Sequence, residues 1–232
     1  MIQFKASALL VGLAQSAALL LASGGSARAQ QAPESAVRLP SPRRDGAMSL
    51  EAALAARRSV RALTRDSLTL ADAGQLLWAA QGVNREPRGR TAPSAGGTYP
   101  LETYVLAGRV KDLPAGMYRY RPATHDLVLV RSGDLREELV NTAVRQTWAT
   151  DAALFLVFAG VYERTAARYR ERAERYVPME VGHAAQNVYL QAAALNLGTT
   201  FQGAFADSLV TRALGLPPAE RPLGIMPVGR PR

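Results

Sequence analysis

The chain holds no cysteine and only two histidines in its 232 residues. With no thiol there is no disulfide framework, no thiolate zinc site, no iron–sulfur cluster and no cysteine nucleophile. His125 and His183 alone do not make a histidine-rich centre, so no metal is expected. Lysine is nearly missing too, with Lys5 and Lys111 the only ones, so the excess of 28 basic over 19 acidic side chains is almost entirely guanidinium. That group stays protonated and grips phosphate or carboxylate through a two-pronged fork. Also missing are a GxGxxG fingerprint, a phosphate loop ending in Gly-Lys-Ser/Thr, a Gly-x-Ser-x-Gly elbow and a His-Glu-x-x-His pair. Rossmann dehydrogenases, ATPases, serine hydrolases and zinc proteases are disfavoured accordingly.

What is present has the balance of a soluble globular chain, 48% hydrophobic and 20% charged. It begins with a lone Lys5, an apolar stretch from about Ala6 to Ala22 and small residues ending in Ala27-Arg28-Ala29. This is the layout of a signal peptide, residues 1–29, cut after Ala29 to leave Gln30 first. The stretch is shorter than the ~20 apolar residues of a membrane span and is interrupted by Gln15 and Ser16. No paired arginine precedes it, so the general secretory route is expected, giving a periplasmic or secreted protein with no stable membrane anchor. Cleavage removes Lys5 and Arg28, lowering the net charge of +9 by two. An exported protein meets little nucleic acid, so none is expected as a partner despite the basic surface.

Residues 30–48 carry three prolines and clustered charge and read as a flexible linker, either a tether or a draped arm. Folded structure is expected from Ser49 to residue 232 as a single domain. Ser49 caps a helix over LEAALAARR with Leu50, Ala53 and Leu54 on one face, and a second helix runs from about Leu70 to Gln81 between Thr69 and Gly82. ETYVLAG reads as a buried strand, and GMYRYR and DLVLVR as a hairpin around PATH. A helix over GDLREELVNTAVRQ, a buried strand DAALFLVFAG and a charged helix from about Glu163 to Tyr176 follow. The longest helix is expected from about Pro178 to Leu197, closed by Gly198, then a short helix near Ser208 to Leu214 and a strand LGIMPVG. Helices and strands mix without strict alternation, which is an α+β pattern.

Three segments look odd as plain scaffold. In Arg57-Arg58-Ser59-Val60-Arg61, Arg57 and Arg61 are expected one helical turn apart, where like charges repel unless an anion lies between them. Cations favoured at a helix C-terminus are the alternative. Pro93-Ser94-Ala95-Gly96-Gly97-Thr98-Tyr99-Pro100 pairs two glycines that let backbone amides approach a flat ligand, although a tight turn uses the same residues. On the long helix Glu180, His183, Asn187 and Gln191 form a polar ribbon, with Val181, Ala185, Val188, Ala192 and Leu195 on an apolar face. Such a ribbon needs partners, which a cofactor, a second subunit or a hydrogen-bonded core could supply.

Together with the Tyr118-Arg119-Tyr120…His125 hairpin and the closing IMPVGRP, the stretches ARRSVRAL, PSAGGTYPLETYV and EVGHAAQNVYLQAAALNLGTTFQGAF resemble the nitroreductase superfamily, most closely its SagB-type dehydrogenase branch. The resemblance implies an FMN-binding α+β sandwich, a central, mostly antiparallel sheet flanked by helices, with two active sites at a homodimer interface. It assigns Arg57, Arg58, Ser59 and Arg61 to the FMN phosphate and ribityl chain, Ser94, Gly96 and Gly97 to the flavin ring, Gln202 and Gly203 to the backbone near N5, and Arg230 to a second phosphate contact. Members that oxidise azoline rings in modified peptides show a Lys-Tyr pair before the long helix, where this chain has Arg168-Tyr169. Arg is no general base near neutral pH. Tyr169 and His183 remain the candidates for a proton-donating or hydrogen-bonding catalytic role. The expected function is an exported FMN-dependent oxidoreductase that moves hydride through flavin N5 to or from a small organic substrate, with an unknown electron donor or acceptor. The alternative is a non-enzymatic member that binds a flavin or another planar ligand, or docks a partner.

Overall fold

A computed structural model describes residues 36–85 and 89–232. The expected signal peptide and the first residues of the linker lie outside the described residues.

The centre is a seven-stranded sheet in the order β1-β6-β5-β4-β7-β9-β8, every neighbouring pair antiparallel. In chain order the elements are β1 (Ala36–Arg38), α1 (Leu50–Ala56), α2 (Leu70–Gln81), a ribbon of β2 (Val83–Arg85) and β3 (Gly89–Arg90), then β4 (Leu101–Ala107), β5 (Gly116–Arg121), β6 (Asp126–Ser132) and α3 (Arg136–Leu139). They continue with β7 (Leu154–Gly160), α4 (Tyr162–Tyr169), α5 (Ala173–Ala194), β8 (Gly198–Thr199), α6 (Asp207–Leu214) and β9 (Arg221–Gly229).

Strand alternation decides which helices cover which face. On β7, Leu154, Leu156 and Phe158 meet α2 and α5 through Leu76, Leu77, Val181 and Val188. Phe155, Val157 and Ala159 point the other way, onto Leu139, Val144, Val210 and Leu214 of α3, the turn after it and α6. Both faces of β7 are therefore dry, which is why it reads as a continuous apolar run. Gly108 is required by packing: a Cβ there would fall 1.9 Å from the Arg136 guanidinium, which donates to the carbonyls of Ala152 and Ala153.

Helix α2 has its expected bounds, since Thr69 and Asp72 form a reciprocal capping box and Gly82 ends it. Other expectations are corrected. Order begins before Ser49: β1 joins the sheet edge against β6 and Leu39 is buried, so this part of the arm is draped, with Arg43 N–H donating to Gln75 Oε1 at 2.8 Å. In α1 only Ala53 is buried, while Leu50 and Leu54 are 61% and 51% exposed. The helix expected over residues 133–146 is one turn, α3, followed by a π turn that ends at Arg145 in the left-handed region. The long helix starts at Ala173, not Pro178. Proline lacks the donor for the carbonyl four residues back, here Glu174 in the exposed first turn, and the loss is tolerated there.

Candidate functional site

Helix α1 stops at Ala56, because the next residues find better partners in extended form. Val60 N–H donates to Thr199 at 2.9 Å, Leu63 bridges to Pro231, and Thr64 N–H donates to Arg230 at 2.8 Å. Arg57 is the C-cap with ψ 121°, so Arg57 and Arg61 do not lie one helical turn apart as expected. Arg57 and Arg58 instead line a recess of about 180 Å³ with Val60, Tyr189, Asn196 and Thr199, while Arg61 is exposed beyond it. Among the described residues none of Arg57, Arg58 and Arg61 pairs with a carboxylate, unlike Arg119, Arg121, Arg131 and Arg136. Ser59 Oγ lies 3.3 Å from the Tyr189 hydroxyl.

The loop at residues 94–97 is tightened by Ser94, whose hydroxyl accepts from Tyr99 N–H at 2.8 Å. Gly96 and Gly97 both take positive φ, 59° and 67°, which only glycine adopts without strain. Helix α4 lies over this loop: Thr165 meets Thr98 at 3.0 Å, and Arg168 donates to Gly96 O at 3.3 Å. A Cβ on Gly96 would come within 2.6 Å of the Tyr169 hydroxyl, so Tyr169 and the loop are in close approach.

Much of the polar ribbon on α5 is internal glue. Glu180, 4% exposed, accepts from Ala95 N–H at 2.8 Å, Asn187 donates to Thr91 O at 3.2 Å, and Gln191 accepts from Gln75 at 3.1 Å. Burial raises the Glu180 carboxyl above its ordinary range, against the loop donors that lower it. His183 is exposed and lines a separate, mostly apolar recess of about 300 Å³ with Pro93, Ser94, Tyr176 and Met179.

Gln202 is fixed by paired backbone bonds to Ile225, and its Nε2 donates to Gln146 at 3.0 Å; Gly203 beside it is exposed. Arg230 reaches Asp72 at 3.5 Å, away from the recess that Arg57 lines. One residue escaped the sequence reading altogether. Tyr189 sits in the apolar run VYLQAAAL, and its hydroxyl accepts from Phe201 N–H at 2.6 Å beneath the Arg57 guanidinium. Its partners are remote in sequence, so spacing carries no trace of it.

Within one chain the two recesses are kept apart by α5. From Glu180 to Tyr189 is nine residues, about 14 Å of rise and half a turn of rotation. Between these flanks runs an exposed, uncharged stripe of Met179, Gly182, His183 and Gln186.

Two layers of helix around an antiparallel sheet define an α+β protein, and one long helix is flanked by a glycine loop and by a guanidinium cluster with no carboxylate partner among the described residues. The nitroreductase family model matches residues 54–230, so the chain belongs to the nitroreductase family, a family of oxidoreductases. It is 44% identical over 183 residues to a candidate nitroreductase of Methanocaldococcus jannaschii, covering 79% of this chain and 91% of that one. It is 30% identical to the trifolitoxin operon protein TfxC of Rhizobium leguminosarum, covering 62% of this chain and 45% of that protein, in line with the SagB-type branch. The crystal structure of a candidate nitroreductase from Ralstonia eutropha superposes with a TM-score of 0.73 at 33% identity, covering 85% and 90% of the two chains.

Proposed function

We propose that the protein is an exported, homodimeric, FMN-dependent oxidoreductase acting on a small organic substrate. The observation that carries this reading is the recess with two guanidiniums, Arg57 and Arg58, and no carboxylate of their own. A phosphate would accept from both and from the Ser59 hydroxyl. The remaining residues suit the group as well. Gly97 leaves the loop open where a flat ring would approach, its neighbour Gly96 being covered by Tyr169 and Arg168, and Thr199 Oγ1 and Gln202 Oε1 are buried polar atoms with no partner among the described residues. FMN, when bound, would supply the two-electron hydride chemistry at N5.

The chain's own task is then binding and orientation. Arg57, Arg58 and Ser59 would hold the phosphate, with Arg61 adding positive charge nearby, whereas Arg230, turned to Asp72, is not among these contacts. Ser94, Gly96 and Gly97 would shape the ring side, and the Gln202–Gly203 backbone would offer contacts at the ring. Tyr169, over Gly96, is placed to hydrogen-bond a substrate there, and His183 lies in the neighbouring apolar recess. Arg168 is held on Gly96 O and takes no proton near neutral pH, which favours dehydrogenation or reduction of a small molecule over azoline oxidation. In a homodimer the exposed Met179–Gln186 stripe of α5 and the exposed Leu50 and Leu54 of α1 would be apolar surface to cover, and the glycine loop of one chain would complete the Arg57 recess of the other.

The Arg57→Ala/Arg58→Ala double variant tests this reading. Its affinity for FMN should fall about a hundredfold or more, followed by flavin fluorescence. Wild-type affinity in the variant places the phosphate elsewhere.

A further inference from the structure

We propose that Tyr189 is a positioning residue of this site: its phenol oxygen fastens the phosphate-side segment at Ser59 and the Phe201–Gly203 segment to α5, and so fixes the distance between the two ends of the bound cofactor. This rests on the FMN reading above. The oxygen accepts from Phe201 N–H at 2.6 Å, donates to Thr200 Oγ1 at 3.4 Å and meets Ser59 Oγ at 3.3 Å. One atom thus joins α5 to the segment that follows it and to Ser59, 130 residues away. The 2.9 Å bond from Val60 N–H to Thr199 O runs alongside and makes the junction a closed unit. The ring lies under Arg57, with the guanidinium carbon 5.4 Å from its centroid, so the side chain that grips phosphate rests on the side chain that anchors the far segment.

The same geometry gives Tyr189 a signature. Burial alone would push its hydroxyl up, but its hydrogen bonds with Ser59, Thr200 and Phe201, together with the Arg57 charge, bring it below the usual tyrosine value. Burial pushes Tyr104, Tyr118, Tyr120 and Tyr162 upward instead. The charged groups lining the recess are Arg57 and Arg58, and α5, β8 and the C-terminal segment add only Asn196, Thr199, Pro231 and apolar side chains beside Tyr189 itself. A phosphate brought beside Arg57 disfavours the phenolate. FMN loading therefore moves the ionisation of Tyr189 to higher pH, and FMN affinity declines as Tyr189 ionises.

The experiment compares wild type with Tyr189→Phe, which keeps the ring and removes only the oxygen. FMN affinity is measured across alkaline pH, with the thermal midpoint of the FMN-free protein measured in parallel. The expected result is a variant that still folds, unfolding a few degrees below wild type because Phe201 N–H loses its acceptor, binds FMN about tenfold more weakly and lacks the Tyr189-linked decline in affinity. Equal affinity, or an unchanged pH profile, overturns the proposal. If the variant does not fold, ultraviolet titration of wild type decides. An early-ionising tyrosine that moves to higher pH on FMN loading supports the proposal, and one that does not move overturns it. A wild type that binds no FMN at any pH overturns the FMN reading itself, and this inference with it.

Discussion

Tyr104 and Tyr189 each lie beneath an arginine, Arg119 at 5.3 Å and Arg57 at 5.4 Å, yet the two clusters are opposite in kind. Around Tyr104 the chain supplies its own anion. Glu220 accepts from the Tyr104 hydroxyl and from Arg119, both at 2.7 Å, and the buried hydroxyl is pushed far above its ordinary value. Around Tyr189 no carboxylate among the described residues pairs with Arg57, the hydroxyl accepts from backbone, and its ionisation is eased. The first cluster is complete and braces β4, β5 and the start of β9. The second lacks one anion. Similar side chains serve stability where the charge count closes and, on the function proposed above, binding where it does not.

Opening the closed cluster should have the largest effect. Arg119→Met leaves the buried Glu220 and Tyr104 without their cation and should cost about 3 kcal/mol in chemical denaturation, with FMN affinity unchanged. The Arg57→Ala/Arg58→Ala variant should do the reverse, losing FMN while its stability stays within about 0.5 kcal/mol of wild type. Equal destabilisation by both would erase the distinction between the clusters.

Glu180 sharpens it, as a carboxylate spent on a loop amide rather than on an arginine. Glu180→Ala strips the Ala95 N–H of its acceptor and should cost about 1–2 kcal/mol, with faster hydrogen exchange at that amide. Unchanged exchange would mean that the loop holds its shape without α5.

A smaller effect is expected where a pair is closed but half in water. Bonds from Arg121, at 2.7 and 2.8 Å, hold the Asp126 carboxyl below its ordinary value of 3.8. A depressed acid adds stability that is present above its unfolded value and lost as pH falls through its folded value, so the loss belongs below about pH 4. Asp126→Asn should cost about 1 kcal/mol at neutral pH and flatten that acid limb. An acid limb as steep as wild type's would show that other carboxylates carry it.

How far the sequence could be read follows the range of the interactions. The α2 bounds were legible because Thr69, Asp72 and Gly82 act within one or two helical turns. Strands β4, β5, β6, β7 and β9 were legible because burial on both faces of β7 and alternation in the β5–β6 hairpin leave local patterns. What escaped depends on distant partners. Pro178 read as a helix start, although exposure of the first turn lets α5 begin at Ala173. The arm read as linker because β1 takes its order from β6, some ninety residues away. In the candidate site the motif residues were visible, but the end of α1 at Ala56 depends on Thr199, and Tyr189 depends on Ser59 and Phe201.

The most direct measurement is the visible absorbance of the purified protein supplied with FMN, recorded through one cycle of anaerobic reduction and return to air. The account predicts about one tightly held flavin per chain, bleached by a chemical reductant and restored by oxygen, in a particle with the mass of a dimer. A protein that holds no flavin, or a flavin that reduces identically in the Arg57→Ala/Arg58→Ala variant at the same occupancy, would contradict the claim that the open guanidinium cluster is the cofactor's seat.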